Sequence, residues 1–257
     1  MTVVGRGAFG FAGEVVLVTG GAMGIGAGIA ELLAEAGATV VIADRDVAAA
    51  EAQAAALVGA GHAASHVELD LADEASVVRG FAAAGERHGA IWGMVNNAGL
   101  QHREMLLDGT AAHWDRINAV NARGAFLATR EAAKAMVAAG RGGRIVHVAS
   151  AALIGALTQG HAAYAASKAA LLGLTRAAAL ELVGHRITVN TVLPGGVATP
   201  GARAVEGPPP EGPGRRAPPL NMCDARDIGA AVLFLVSPLA GKVTNQALAV
   251  DGGWSVS

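Results

Sequence analysis

At 257 residues, with 53% apolar and only 16% charged side chains, the chain suits one large α/β domain, although two small domains would also fit that length. Alanine and glycine carry much of the apolar count, so close helix–sheet packing is expected rather than an aromatic core. A formal net charge of −2, with Arg215-Arg216 as the one basic pair, argues against a nucleic-acid or anionic-membrane partner.

Residues 1–13 read as a short, flexible glycine-rich tail rather than a secretory signal. A domain over 14–257 follows. No apolar run reaches membrane-spanning length, and the single cysteine, Cys223, rules out an internal disulfide. A cytoplasmic protein is the expectation.

The first predicted strand, 15–19, ends in Thr19-Gly20-Gly21-Ala22-Met23-Gly24-Ile25-Gly26, and a helical pattern over 24–36 begins at once. Glycines there let the backbone turn sharply and approach a pyrophosphate, whose charge a helix N-terminus favours. A tight turn with no ligand is the plain alternative. The second strand, 39–44, closes on Asp44, whose carboxylate can accept hydrogen bonds from ribose hydroxyls and would repel a 2′-phosphate. The turn offers only Ala22 and Met23 where a phosphate would need a cation, so NAD is expected over NADP. Arg45 is the one side chain that complicates this choice.

A helix over 46–58 leads to a third strand, 63–68, then Asp70-Leu71 and a helix over 73–88. The fourth strand, 91–96, ends in Asn96-Asn97-Ala98-Gly99. Taken singly, Asp70 reads as a helix cap and the asparagine pair as an ordinary turn. The long helical pattern over 110–139 is expected to break near Asn121.

The fifth strand, 144–149, delivers Ser150, whose hydroxyl can hydrogen-bond a substrate oxygen. In the next helix, 162–183, Tyr164 and Lys168 stand four apart and share one face. A free phenol has a pKa near ~10, and a neighbouring ammonium favours the phenolate. The plain alternative is an exposed helical pair of little consequence. A sixth strand, 188–193, precedes Pro194-Gly195-Gly196-Val197-Ala198-Thr199. Residues 199–220 are rich in proline and glycine and are expected to form no regular element, serving as a mobile lid or a plain surface loop. A helix over 224–237, a strand over 247–250 and Asp251-Gly252-Gly253 complete the chain.

Strand and helix alternate throughout, and most strands are continuous apolar runs. That pattern predicts right-handed βαβ units and a parallel sheet buried on both faces.

The Gly-x-x-x-Gly-x-Gly spacing after Thr19, the Asn-Asn-Ala-Gly stretch, Ser150, Tyr164-x-x-x-Lys168 and the Pro-Gly stretch together resemble the short-chain dehydrogenase/reductase family over nearly the whole chain. The resemblance implies a Rossmann-type doubly wound sandwich, a seven-stranded parallel sheet flanked by helices on both faces. It implies an NAD-dependent oxidoreductase acting on a secondary alcohol or ketone, with Asn121, Ser150, Tyr164 and Lys168 as catalytic residues. Asn121 would hold a water that links Lys168 to solvent. The serine usually precedes the tyrosine by about thirteen positions, against fourteen here.

The cofactor residues implied are Gly20, Met23, Gly24, Ile25, Gly26, Asp44, Asp70, Leu71, Asn97, Ala98, Gly99, Tyr164, Lys168, Pro194, Val197 and Thr199. Asp70-Leu71 would flank adenine, and Asn97 to Gly99 the adenosine ribose. Lys168 would hold the nicotinamide ribose. Val197 backbone groups would hold the carboxamide, and Thr199 the carboxamide or a phosphate. A homotetramer or homodimer is implied as well, with Ala125, Ala128, Ala132, Ala169 and Ala170 packing between copies.

Candidate pocket residues are Gln101, His102, Ala151, Leu153, Gln159, His161, Gly195 and Gly196 with the 199–220 loop. They allow a polyol or a compact apolar alcohol. His102 and His161 also read as loop or capping residues. No His/Cys/Asp cluster has metal-ligand spacing. An NADPH-dependent ketoreductase, a methyltransferase, an epimerase or dehydratase of the extended branch, and a non-catalytic NAD-binding protein are the rival readings. The methyltransferase would have no use for Ser150, Tyr164 and Lys168 together. The extended branch adds a larger C-terminal domain than this chain provides.

Overall fold

A computed structural model describes residues 9–256. Seven parallel strands form one sheet in the order β3-β2-β1-β4-β5-β6-β7, with β1 Val15–Thr19, β2 Thr39–Asp44, β3 Ala64–Glu68, β4 Ile91–Asn96, β5 Gly143–Val148, β6 Ile187–Pro194 and β7 Ala247–Val250. The helices are α1 Gly24–Glu35, α2 Val47–Gly59, α3 Glu74–His88, α4 Ala111–Asn118, α5 Ala125–Ala139, α6 Ala162–Leu182, the short α7 Pro200–Arg203 and α8 Ala225–Val236.

Alternation along the central strands builds two cores. Val16 and Val18 of β1 join Val40 and Ile42 of β2, packing with α1, α2 and α8 on one face. Val15 and Leu17 turn the other way, toward α3, α5 and α6. Both faces are covered, which is why these strands read as unbroken apolar runs.

Chain order reverses between β1 and β4, which lie side by side in the sheet centre. Connections leave in opposite directions from such a pair and open a crevice at the carboxyl ends of the strands. Thr19 and Asn97 stitch its floor. The Thr19 hydroxyl accepts from the Asn97 and Ala98 amides at 3.0 and 3.2 Å. The Asn97 side chain donates back to the Thr19 and Gly20 carbonyls at 3.0 and 3.1 Å.

Several boundaries differ from the sequence reading. The expected 110–139 helix is α4, a π-helical turn over Ala119–Gly124, then α5, so the break at Asn121 is a bulge within a continuous rod. The proline-rich 199–220 stretch does contain regular structure. The Thr199 hydroxyl caps α7 by accepting from Ala202 N–H at 3.1 Å, and Pro200 starts that helix, where its fixed φ is an asset. Backbone bonds tie the stretch to its surroundings: Arg103 N–H to Glu206 at 2.9 Å, Gln159 N–H to Glu211 at 2.7 Å and Leu220 N–H to Gly252 at 2.9 Å. Asp70 is not the cap of α3; Asp73 fills that role by accepting from Ala75 N–H at 3.0 Å. Ala125, Ala128 and Ala132 face the core, so they cannot pack between copies; Ala169 and Ala170 are exposed.

Most of the glycine-rich tail lies outside the described residues. Its last part does not behave as a tail, because Phe11 is fully buried in the core of α1 and α8 and Phe9 packs against it. Phe11→Ala is expected to cost about 3–5 kcal/mol in urea unfolding, as for a buried aromatic. A loss under about 1 kcal/mol would return residues 9–13 to the tail.

On β5, His147 is fully buried with its Nδ1 3.4 Å from the Asn96 amide, and among the described residues no group bonds its Nε2. Burial, helped by the charge of Lys168, drives its pKa down to about 3. The folded state therefore keeps His147 neutral while the unfolded chain takes a proton below its ordinary value of 6.5. Stability from this group is complete above pH 6.5 and is lost as pH falls toward 3. Between pH 6.5 and 5 the loss should be about 2 kcal/mol. His147→Asn should remove that part of the pH slope in urea unfolding; an unchanged slope would refute the assignment.

Candidate active site

Gly20 to Gly26 wrap the start of α1, directly above the crevice. The α1 N-cap residue is Met23, which makes no side-chain cap bond, so the start of this helix suits an anionic group. Gly26 has to be glycine because a Cβ there would run into the Gly20 carbonyl oxygen. Thr199 lies over the same turn: a Cβ on Gly24 would sit 3.2 Å from the Thr199 Cβ. Residues far apart in the chain thus meet at this turn.

Asp44 ends β2 beside this turn. Its carboxylate accepts from Ala22 N–H at 3.3 Å and Asp46 N–H at 3.1 Å, which fixes it at the crevice rim. Arg45 is exposed. Asp70 follows β3 and accepts from Ala72 N–H at 2.9 Å, while Leu71 is buried. After β6, a bridge joins Val197 to Cys223, and the Cys223 N–H lands on Gly196 rather than on Val197. The uncapped helix start, the glycine turn and Asp44 fit a dinucleotide's phosphates and ribose.

The four proposed catalytic residues converge. Ser150 lies two residues beyond β5 and Tyr164 in the first turn of α6, and the Ser150 hydroxyl is close enough to the phenol to temper the rise of its pKa. The spacing of fourteen therefore does not separate them, and the short helical turn Ala151–Leu153 lies between them. Lys168 is 4% exposed, with its Nζ 5.9 Å from the Tyr164 ring centroid and donating to the Val148 carbonyl at 2.8 Å. Phenol and ammonium share a face, as their i, i+4 spacing predicts.

The electrostatics differ from expectation in one respect. Burial pushes the Tyr164 phenol above its ordinary value, opposed by the Ser150 hydrogen bond, with Lys168 not among the causes. Burial also depresses Lys168, to about 8. Both shifts favour the neutral forms. Desolvation outweighs the mutual attraction in the protein alone.

Asn121 sits in the π turn, where its amide donates to the Leu100 carbonyl at 2.8 Å and to Ser167 Oγ at 2.9 Å. Its Oδ1 accepts from Leu100 N–H at 2.8 Å. Its side chain is thus a brace between the loop after β4 and α6. Gly99 fits between the two groups, since a Cβ there would lie 3.1 Å from Lys168 Nζ and 3.2 Å from Asn121 Oδ1. Ser167, which the sequence reading passed over, completes the brace by donating to the Tyr164 carbonyl at 2.7 Å. Its i+3 spacing from Tyr164 was the available signal.

Of the pocket candidates, His161 stands over Tyr164, with ring centroids 5.1 Å apart, and its Nδ1 is 2.8 Å from the Thr158 hydroxyl. His102 instead holds the 199–220 segment, its Nδ1 accepting from Glu206 N–H at 3.2 Å. Met222 and Trp254, which no motif pointed to, also reach this region, packing on Gly196. Among the described residues no three His, Cys, Asp or Glu side chains gather as a metal site, and no helix is long and apolar enough to cross a membrane.

The profile described as enoyl-(acyl carrier protein) reductase matches residues 20–255. The chain is 38% identical over 246 residues to 2,5-dichloro-2,5-cyclohexadiene-1,4-diol dehydrogenase of Sphingobium indicum, covering 95% of this chain and 97% of that one. Among solved structures, a short-chain type dehydrogenase/reductase from Mycobacterium marinum superposes with a TM-score of 0.89 at 31% identity, covering 98% of this chain and 99% of the other. A 3-ketoacyl-(acyl-carrier-protein) reductase from Brucella melitensis, solved with NADH, gives 0.86 at 35% identity, covering 96% and 100%. The chain therefore belongs to the short-chain dehydrogenase/reductase family.

Proposed function

We propose that this protein is an NAD-dependent dehydrogenase that interconverts a secondary alcohol and its ketone. The observation carrying this reading is the Tyr164 phenol, set beside Ser150 and flanked by the buried Lys168 ammonium at the carboxyl edge of the sheet. An NADH-bound structural relative and an alcohol-oxidising sequence relative support it.

The cofactor, when bound, accepts hydride from the carbinol carbon. The α1 amides and Gly20, Met23, Gly24, Ile25 and Gly26 hold its phosphates, with Thr199 beside them. Asp44 binds the adenosine ribose, Asp70 and Leu71 line the adenine, and Asn97 to Gly99 form the crevice floor. Pro194 and Val197 line the nicotinamide side.

Ser150 and Tyr164 orient the substrate hydroxyl by hydrogen bonds, and Tyr164 takes its proton. Lys168 stabilises the resulting phenolate. A bound oxidised cofactor would add positive charge there and offset part of the desolvation that holds the phenol neutral in the protein alone. Asn121 braces the π turn against Leu100 and Ser167, which holds the helix carrying Tyr164 and Lys168 in place. Positioning two reactants and tuning one base account for most of the acceleration.

Asp44 favours NAD, since a 2′-phosphate would meet its carboxylate. NADP is the second reading, favoured by the exposed Arg45 next to it. The small-molecule substrate enters at the carboxyl edge of the sheet. A homodimer or homotetramer would cover the exposed apolar side chains Phe126 and Val137 of α5 and Leu180 of α6. A cytoplasmic location fits the single unpaired thiol of Cys223.

Tyr164→Phe should lower kcat by about 10²-fold or more while leaving the Kd for NAD within about threefold. Retention of most turnover would remove Tyr164 from the chemistry. Asp44→Ala should weaken NAD and lower the NAD-over-NADP ratio of kcat/KM by about 10- to 100-fold, the worth of hydrogen bonds to a charged group. An unchanged ratio would show that Asp44 does not read the ribose.

A further inference from the structure

The Asp251-Gly252-Gly253 motif and the residues after it take no part in the mechanism above, yet they are built with care. Asp251 is 7% exposed. One carboxylate oxygen accepts from Gly253 N–H and the other from Ser255 N–H, both at 2.9 Å. The Asp251 carbonyl accepts from Trp254 N–H at 3.1 Å. These bonds close the turn Trp254–Val256 and fix where the indole goes.

Two contacts locate that turn. A Cβ on Gly196 would meet the Met222 thioether, its sulfur at 2.8 Å, and the Trp254 ring, Cζ3 at 3.0 Å. A Cβ on Gly155 would meet the Ser255 backbone, Cα at 3.9 Å. Gly196 follows β6, and Gly155 follows the Ser150 turn after β5. The terminal turn therefore spans the ends of β5 and β6, the edge on which Ser150 stands. Met222 arrives from the proline-rich segment, whose end is tied to Gly252 by Leu220 N–H.

We propose that Trp254 and Met222 form one wall of the substrate pocket and select secondary alcohols that carry a flat apolar ring on the carbinol carbon, with Asp251 as the residue that positions Trp254. This rests on the dehydrogenase reading above. An indole and a thioether together offer a broad, polarisable surface that suits a ring. They offer a polyol almost nothing, because each of its hydroxyls would lose water without gaining a partner. Gly196 supplies the depth, since any side chain there would displace the wall.

The test uses the full chain with NAD and three substrates: 1-phenylethanol, 2-propanol and xylitol. Wild type should prefer 1-phenylethanol to xylitol in kcat/KM by about tenfold or more. Trp254→Ala should reduce kcat/KM for 1-phenylethanol about tenfold, mainly through KM, while 2-propanol changes less than about threefold. Trp254→Phe should restore most of the loss. A wild-type preference for xylitol, or an equal loss on all substrates in Trp254→Ala, would overturn the wall.

Calorimetric titration of the NAD-loaded protein with acetophenone, which cannot react in that pairing, separates the two readings. Binding that weakens about tenfold in Trp254→Ala supports the wall even if no alcohol is oxidised, in which case the dehydrogenase reading fails. Absence of acetophenone binding in the wild type overturns the wall by itself.

Discussion

Burying the Lys168 ammonium beside the Tyr164 phenol opposes folding, and the surrounding architecture exists to make that arrangement tolerable. The ammonium donates to a carbonyl at the end of β5 and is 4% exposed, so it has given up most of its hydration for that one bond to the Val148 oxygen. Removal of a charge from water without a counter-ion costs several kcal/mol unless the group's pKa yields. Here it yields, with Lys168 depressed to about 8. The protein alone thus holds a neutral phenol beside an ammonium whose charge is easily lost, and a bound cationic pyridine ring would shift the balance toward phenolate.

Rigidity around that pair comes from braces that cross between elements. Asn121 and Ser167 pin α6 to the loop after β4. Thr19 and Asn97 lock the ends of β1 and β4 together. The π turn over Ala119–Gly124 departs from regular helix geometry. Such turns persist where the tertiary structure over-determines them. The sheet's topology then decides where everything meets. Strand ends in a parallel sheet lie on one edge, so a turn, an acid and a catalytic pair from separate βα units share one crevice.

Much of this was legible in the chain. Apolar runs that are continuous rather than alternating announced central strands covered on both faces, and β1, β2, β4 and β7 began and ended where those runs did, although the edge strand β7 is largely exposed. Tyr164 and Lys168 were paired by helical spacing alone. The 199–220 segment was misread in part because proline composition reports what a segment cannot do. It did not report that Thr199 and Pro200 make a good helix start. Phe11 was lost among glycines, since a single buried aromatic carries no periodicity.

The order of elements, the glycine turn, Asp44 and the Tyr164–Lys168 spacing were determined by the sequence by itself, because each is a local pattern with a local physical cause. The meeting of Ser150 and Tyr164 across an extended gap, the brace through Asn121 and Ser167, the raised phenol and lowered lysine pKa values, and the approach of Met222 and Trp254 to Gly196 were decided only by tertiary structure. Those features depend on burial and on contacts between residues distant in the chain, and neither quantity is written in local spacing.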